Sequence, residues 1–249
     1  MTRRFLAMLI ALVGTAGVVV VALAIFFPEE DQATIPVTER VRSVEVDVEA
    51  GRVLVAAGAT DATTITRTRR YLRGVPITSE EFSQGVLKIR SECRRWVTFG
   101  CEVDYRIEVP GNVAVRVRVE HGPVSVEGIG GMVEVETGAG AVELIRTQGP
   151  VKVTTSAGHV DGEDLSADFL DATTGAGRIR LAMARPPGRL GLKTGAGNID
   201  VGLPPADGGY RVAADADAGK VEVSVDENPG GNRAVIANSG AGRIRIHPR

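Results

Sequence analysis

Aromatic side chains make up only 4% of this 249-residue chain, so its core cannot be built mainly on packed rings. Cysteine occurs twice and histidine three times, and none of them shows the spacing of a zinc site. Neither sign of charge dominates, with 29 basic residues against 31 acidic ones, so nothing indicates nucleic-acid binding. Glycine, by contrast, occurs 31 times. These features predict an aliphatic core and many turns, as in an all-β protein.

A long uncharged apolar segment occupies residues 5–27. At about 1.5 Å per residue, a helix of this length crosses a hydrocarbon core of roughly 30 Å. Arg3 and Arg4 precede the segment and acidic residues follow it, which predicts a cytoplasmic N-terminus and an extracytoplasmic remainder. The alternative is a signal peptide cleaved after Ala24, but the segment is longer than the usual apolar region of about 7–15 residues. Both interpretations export the rest of the chain.

The rest of the chain is dominated by a repeat that contains glycine. From Val44 onwards apolar and polar residues alternate, which indicates strands with one buried face. Segments such as "TGAGAVEL" and "TGAGRIRL" recur, and from Gly122 their glycines lie 18 to 23 residues apart. The repeat-turn glycines are Gly51, Gly122, Gly140, Gly158, Gly177, Gly197, Gly219 and Gly242. A period of about 20 residues made of strand and turn predicts a solenoid, with Gly51 in an early coil before a long insertion.

The positions around each glycine indicate how one repeat is built. Residues two and four positions after the glycine are almost all aliphatic, so they are expected to face the core. The glycine itself is expected to adopt the positive φ of a sharp corner. Thr137, Thr155, Thr174 and Thr194 form a further column, whose hydroxyls are expected to bond to the turn backbone or to one another. Phosphate binding is disfavoured, because a strand rather than a helix follows each glycine.

The repeats "VETGAGAVEL", "VTTSAGHVDG" and "LKTGAGNIDV", behind an apolar N-terminal segment, resemble the bacterial putative-adhesin family of unknown function. The stretch "EVDYRIEVP", which ends at Pro110, resembles it as well. The resemblance covers residues 44–249. It implies a right-handed, single-stranded β-solenoid outside the cell, with adhesin-like or envelope-stress roles. It carries over no catalytic residues.

The expected organisation follows from these features. An N-terminal transmembrane signal anchor at residues 1–27 and a linker at 28–43 precede an extracytoplasmic β-solenoid domain at 44–249. Its first coils, 44–112, are expected to be irregular, and the repeats at 113–249 to be regular.

Candidate chemical sites are few. Asp161, Glu163 and Asp164 offer oxygen ligands for calcium, but the glycine-aspartate repeat of calcium-binding β-rolls is absent, which favours a solvated corner. A basic cluster is either a contact for anionic lipid or wall polymer, or a charge-protected strand edge. Its members are Arg67, Arg69, Arg70 and Arg73. No catalytic, metal-binding or cofactor-binding residue is predicted.

Cys93 and Cys101 are the only cysteines of the chain. Two cysteines in a domain that leaves the reducing cytoplasm are expected to form a disulfide.

The last repeat ends the chain without a capping element. Its strand residues Arg243, Ile244, Arg245 and Ile246 are therefore expected to form an open docking edge. The expected occupant is either a second copy, giving a homo-oligomer, or a strand of another envelope protein.

The function that the sequence favours is a non-enzymatic, membrane-anchored interaction or scaffolding module of the bacterial cell envelope. Its expected partners are the membrane and an envelope protein or cell-wall glycan, with no nucleic acid and no cofactor. An envelope-stress sensor, or an accessory subunit of another membrane protein, is the alternative. A carbohydrate-active β-helix enzyme is disfavoured, because short repeats leave little material to wall a cleft.

Overall fold

The computed structural model describes residues 29–72, 74–93 and 100–249. This part of the chain folds into 19 strands that belong to one sheet. The first seven are β1 Glu29–Val37, β2 Ser43–Ala50, β3 Val53–Ala57, β4 Thr63–Tyr71, β5 Ile77–Ser83, β6 Val86–Glu92 and β7 Glu102–Val109. The next six are β8 Ala114–His121, β9 Val124–Glu127, β10 Val133–Ala139, β11 Val142–Ile145, β12 Val151–Ala157 and β13 Val160–Leu165. The last six are β14 Phe169–Ala176, β15 Ile179–Met183, β16 Arg189–Ala196, β17 Ile199–Leu203, β18 Arg211–Val223 and β19 Ala234–Pro248.

The strands stack in two ladders that meet at the repeated glycine corners. The first ladder contains the strands before the corners, in the order β5, β6, β2, β8, β10, β12, β14, β16, β19, β18. The second contains the strands after them, in the order β1, β4, β7, β3, β9, β11, β13, β15, β17, β19, β18. The long strands β18 and β19 pass through the corner and contribute to both ladders.

The core lies between the two ladders and is aliphatic. Alternate residues of each strand are buried, as the period of two requires; β10 and β11 follow the pattern with Val133, Val135, Val142 and Leu144 fully enclosed. The buried residues of both ladders form one continuous cluster from Val41 to Ile246. Because the strands pair in register from unit to unit, like residues stack on like, and no large aromatic side chain is needed to fill the space.

The predicted single-stranded solenoid of successive coils is wrong. The described strands form one mixed sheet, in which β1–β4, β4–β7 and β5–β6 are antiparallel. Its units do not stack in chain order either: β2 and β3 lie between β6–β7 and β8–β9, and β19 lies between β16–β17 and β18. The repeat period sets the length of a unit but leaves open which units become neighbours. The short connection between β5 and β6 favours a hairpin.

The predicted transmembrane helix at residues 5–27 lies outside the described residues. Within residues 29–72, 74–93 and 100–249 there is no helix of the length and apolar character needed to span a membrane. Most of the predicted linker is also structured, since Glu29–Val37 forms β1 and pairs with β4. The N-terminal part of the fold therefore combines the parallel strands β2, β3, β6 and β7 with the antiparallel strands β1, β4 and β5 at the end of the sheet.

Candidate interaction surfaces

The repeated glycines form a column in which no larger residue fits. A Cβ atom added to Gly140 would lie 1.9 Å from the carbonyl oxygen of Gly122, and one added to Gly158 would lie 1.9 Å from that of Gly140. The expected positive φ occurs at Gly51, Gly122, Gly177, Gly197 and Gly242. The close approach of stacked backbones at the corner therefore explains the column more generally than φ does.

Buried hydroxyl groups form hydrogen bonds between neighbouring corners of the stack. Thr174 Oγ1 donates to the carbonyl oxygen of Gly158 at 3.1 Å, and Thr194 Oγ1 donates to that of Gly177 at 3.0 Å. Ser239 Oγ makes the equivalent bond to Gly197 at 3.0 Å. Each of these hydroxyls satisfies a backbone carbonyl at the edge of an apolar core, as predicted for Thr174 and Thr194, whereas the buried hydroxyls of Thr137 and Thr155 have no hydrogen-bond partner.

The outer face of the first ladder carries a column of alternating charge. Register aligns Lys88, Glu45, Arg116, Glu134, Lys152 and Asp171 on successive strands. Arg116 Nη2 lies 2.8 Å from Glu134 Oε2, and Lys152 Nζ lies 3.4 Å from Glu134 Oε1. The hydrogen bond from Arg116, followed by that from Lys152, lowers the pKa of Glu134 below its ordinary value. This face is therefore held by ion pairs between units.

A similar column crosses the second ladder near its C-terminal end. Arg180, Asp200, Arg245 and Glu222 lie side by side on β15, β17, β19 and β18. Arg245 Nε lies 3.3 Å from Glu222 Oε2, and His247 Nε2 lies 3.0 Å from Asp200 Oδ1. The column ends on the carboxylate of Glu222, because β18 is the last strand of the ladder.

A part-buried ion pair closes the other end of the core, where β4, β5 and β7 meet. Arg67 Nη1 lies 2.9 Å from Glu80 Oε1, and the two side chains are only 13% and 12% exposed. Arg67 also donates to Thr78 Oγ1 at 2.8 Å, and the Tyr105 hydroxyl donates to Glu80 Oε1 at 3.0 Å. Burial, and then the neighbouring Glu80, raise the pKa of Tyr105. The network bridges the two ladders where the aliphatic core ends.

The other arginines of the predicted basic cluster are paired as well. Arg69 forms an ion pair with Asp31, and Arg70 forms ion pairs with Glu102 and Asp104. The pKa of Asp31 lies below its ordinary value because of its hydrogen bond from Arg69. Arg73 lies outside the described residues. The charges of the three described arginines are thus balanced within the fold, which favours the structural interpretation of the cluster over lipid or polymer binding.

Cys93 and Cys101 are joined by a disulfide in the structure. Cys93 follows β6 of the first ladder and Cys101 precedes β7 of the second, so the bond connects the two ladders beside the corner. The Cys93 amide also donates to Glu49 Oε2 at 2.7 Å, which ties the connection to β2.

The predicted docking edge, Arg243 to Ile246, is not an edge in the structure. β19 is enclosed between β17 and β18, and Ile244 and Ile246 are 0% exposed. The reason is the order of stacking: after β17 the chain first forms the outermost strand and then returns to fill the position beneath it. Among the described residues β18 pairs with β19 alone, so β18 forms the open edge at this end of the sheet; β1 and β5, which pair only with β4 and β6, are the edge strands at the other end.

β18 presents an alternating apolar and charged surface. Val212, Ala214 and Ala216 point towards the core and remain half-buried, while Val221 is 41% exposed. Charged residues occupy the outward positions, namely Arg211, Asp215, Asp217, Lys220 and Glu222. The sequence reasoning missed this strand as an edge because its repeat looks like any other. The signal that could have found it is the sign of its outward charges, such as that of Glu222.

The remaining predicted candidates do not converge. His159 Nδ1 accepts a hydrogen bond from the Arg178 amide at 3.2 Å, while His121 ends β8 several strands away. Asp164 pairs with Arg249, and Asp161 lies 3.2 Å from Arg178, so both carboxylates have cationic partners. Within the described residues there is no group of three or more side chains arranged to hold a metal ion.

An open groove of about 890 Å³ lies beside the paired strands β1 and β4. Its walls include Pro36, Arg40, Asp61, Pro110 and Asn112. It mixes polar and apolar side chains, and Glu39 and Asp61 are the two carboxylates among them.

The described residues form strand–corner–strand units stacked into two facing ladders, and several solved structures align with most of the chain. A "putative adhesin" from Bacteroides fragilis aligns with 89% of this chain and 99% of its own, with a TM-score of 0.50 and 12% identity. A "putative cell adhesion protein" from Clostridium sporogenes covers 89% of this chain and 100% of its own, with a TM-score of 0.41 and 12% identity. A "putative lipid binding protein" from Parabacteroides distasonis covers 88% and 95%, with a TM-score of 0.30 and 10% identity.

At 12% identity, the likeness to the Bacteroides structure shows a shared fold only. No protein-family model matches the chain, and no curated protein matches it in sequence at a significant level.

Proposed function

We propose that this protein is a non-enzymatic, adhesin-like interaction module of the bacterial cell envelope, a member of the adhesin-like group that its repeats resemble. The observation that carries the proposal is the open edge of β18, a strand of 13 residues that is paired on one side only within the described sheet. Unpaired strand edges are sites where another chain adds a strand, because main-chain hydrogen bonds supply affinity and side chains supply specificity. The rigid ladders behind β18 hold this edge in a fixed shape.

The module is proposed to act outside the cytoplasm, attached to the membrane by the apolar segment at residues 5–27. Arg3 and Arg4 before that segment support a cytoplasmic N-terminus. The disulfide between Cys93 and Cys101 supports an oxidising location, since such bonds persist mainly outside the cytoplasm. The name of the Bacteroides structure that shares the fold supports the adhesin-like character.

The location is tested by a reporter that is active only outside the cytoplasm, fused after Arg249. The fusion is expected to be active and to remain in the membrane fraction. Mass spectrometry of protein purified from the envelope is expected to find Cys93 and Cys101 bonded. An inactive reporter, or two free thiols, contradicts the location. Release of a chain that begins at Ile25 identifies the segment as a cleaved signal peptide instead.

The interaction role is tested on intact cells with a photo-crosslinking residue placed at Lys220 on the open edge. The control carries the same residue at Arg106, an exposed position on β7, away from the edge. A protein or glycan captured from Lys220 but not from Arg106 is the expected result. Equal capture from both positions, or none from Lys220, contradicts a role centred on β18.

A further inference from the structure

The outer edge of β18 offers backbone groups for one more strand beyond Tyr210, where the same side is taken by the chain itself: the Tyr210 amide donates to the Asp226 carbonyl and the Asn228 amide donates to the Tyr210 carbonyl. The Arg211 amide donates to the Arg233 carbonyl and the Ser224 amide to the Ile246 carbonyl, so the amides at these two ends of β18 point towards β19. In a regular parallel ladder the backbone groups of successive residues point to opposite sides. The amides and carbonyls of Val212, Ala214 and Val223 therefore face the open side. They form a template with the spacing of a strand.

The apolar face of the same strand is incomplete. Val221 is 41% exposed, whereas Ile244, its partner on β19, is 0% exposed. Ala214 likewise remains half-buried above the fully enclosed Ala237. A strand laid on β18 with aliphatic residues at its inward positions would bury these side chains as β18 buries those of β19.

The outward charges of β18 select the partner. Glu222 ends the column Arg180, Asp200, Arg245, Glu222, whose signs alternate. The next position of that column therefore favours a cation. On the first ladder, Asp215 and Asp217 are exposed on the outward face, and they also favour a cation beside them. A directly opposed pair of opposite charge stabilises neighbouring strands, and a pair of like charge destabilises them.

A second copy of the chain fits this edge less well than a basic strand. If two β18 strands met antiparallel with their corners at Ala218 and Gly219 aligned, Lys220 would oppose Asp217, but Asp215 would oppose Glu222. The attractive and the repulsive contacts cancel. A strand with cations opposite Asp215, Asp217 and Glu222 meets attraction at all three carboxylates, which outnumber the two outward cations of β18, Arg211 and Lys220.

We infer that β18 binds an extended strand from another protein in which basic and aliphatic residues alternate, by adding that strand to the open edge of the sheet. This inference rests on the proposed interaction role and names the chemistry of its partner. It assigns to β18 the docking function that the sequence suggested for Arg243 to Ile246.

The inference is tested with the full-length protein purified in detergent and a fluorescein-labelled peptide of alternating arginine and valine. Binding is followed by fluorescence anisotropy. One control peptide alternates glutamate and valine. A second keeps arginine and valine but is N-methylated at alternate residues, which preserves its charge and removes the donors for strand pairing. The variant Glu222→Lys is compared with Glu81→Lys, which reverses an equally exposed acid on β5 at the opposite end of the sheet.

The arginine–valine peptide is expected to bind, and each control peptide to bind at least about tenfold more weakly. Glu222→Lys is expected to weaken binding by about tenfold, and Glu81→Lys to leave it unchanged. Equal binding of the glutamate peptide, of the N-methylated peptide or to Glu222→Lys would overturn the inference. So would sedimentation showing a dimer that Glu222→Lys strengthens, because the occupant would then be a second copy in which residue 222 opposes Asp215. If partners are crosslinked from Lys220 but the arginine–valine peptide does not bind, the proposed interaction role is supported and the inference of a basic partner strand is contradicted.

Discussion

Glu222 of β18 lies beside Arg245 of β19, with Arg245 Nε 3.3 Å from Glu222 Oε2. The two strands are neighbours because β19 is inserted between β17 and β18. Asp200 of β17 flanks Arg245 on its other side, so the cation lies between two anions. If β18 stacked directly on β17 in chain order, with the glycine corners aligned, Glu222 would lie beside Asp200. The observed order replaces a like-charged pair by two pairs of opposite charge.

The same relationship holds at the other end of the ladders. Glu45 of β2 lies between Lys88 of β6 and Arg116 of β8. Stacking in chain order would place Lys88 next to Arg116. Exposed pairs of this kind contribute only about 0.2–1 kcal/mol each. They are therefore too weak to drive folding; at these two places they favour the observed stacking order, which also places the like charges of Lys220 and Arg243 side by side.

The charge column is tested by reversing Glu134. Glu134→Lys is expected to destabilise the protein by about 1 kcal/mol, because the new cation lies between Arg116 and Lys152. The matched control is Glu143→Lys on the second ladder. Glu143 lies beside Asp161, so its reversal is expected to be neutral or stabilising. Urea denaturation measures both, and about 1 M salt is expected to shrink both effects. Equal effects of the two reversals would show that charge pairing within the columns does not affect the stability of the protein.

Acid is expected to weaken the same column. Arg116 and Lys152 hold the pKa of Glu134 below its ordinary value of 4.5. Because the folded-state pKa is lowered, the stabilisation is complete above about pH 4.5 and is lost as the pH falls through the folded-state value. The stability difference between the wild type and Glu134→Gln should therefore be constant near neutral pH and shrink in acid. If the stability difference between the wild type and Glu134→Gln instead grew as the pH fell, the Glu134 carboxylate would not be stabilised by the two cations, and the ion pair would be contradicted.

The network of Arg67, Glu80 and Tyr105 is expected to behave as one buried unit. Arg67→Met should destabilise the protein by about 3–5 kcal/mol, because it leaves the Glu80 carboxylate enclosed without its cation. The double variant Arg67→Met, Glu80→Leu should recover most of that loss, since no buried charge remains. Chemical denaturation of the two single variants and the double variant measures the coupling. Additive losses would show that the two residues do not depend on each other.

The glycine corners give a steric prediction. Gly140→Ala is expected to destabilise the protein by about 1–3 kcal/mol, because the new methyl would lie 1.9 Å from the Gly122 carbonyl oxygen. Gly58→Ala is the control, since the nearest atom to its Cβ lies 3.6 Å away. Thermal unfolding compares the two. A tolerated alanine at Gly140 would mean that the corners are less closely stacked than described.

Much of the local structure could be predicted from the sequence, because it depends on residue parity. The inward residues, such as Val142 and Leu144, follow from a period of two, and the corner glycines follow from their repetition. The threonine column predicted the hydrogen bonds that the hydroxyl groups of Thr174 and Thr194 donate. Each of these features lies within one unit or between equivalent positions of two units.

The stacking order could not be read from parity, because every unit offers the same aliphatic face to its neighbours. The antiparallel strands around Arg67 could not be predicted from the repeat either, because their sequence has no corner glycine. The signal that was available is the sign of the outward charges. Glu45, Lys88 and Arg116 fit alternation in only one order, and the same comparison at Asp200, Glu222 and Arg245 would have moved the predicted edge from β19 to β18.

The position of β18 as the open edge is tested most directly by cysteine pairs introduced at outward positions. Lys193 on β16 is the neighbour of Asn238 on β19, which in turn is the neighbour of Asp215 on β18. Adjacent strands lie about 4.8 Å apart, within the Cα separation of a disulfide, whereas strands two positions apart do not. Under mild oxidation, mass spectrometry should find a disulfide in the variant Lys193→Cys, Asn238→Cys and none in Lys193→Cys, Asp215→Cys. A disulfide in the second variant but not in the first would place β18 directly on β16, restore the C-terminal strand as the edge, and contradict the account.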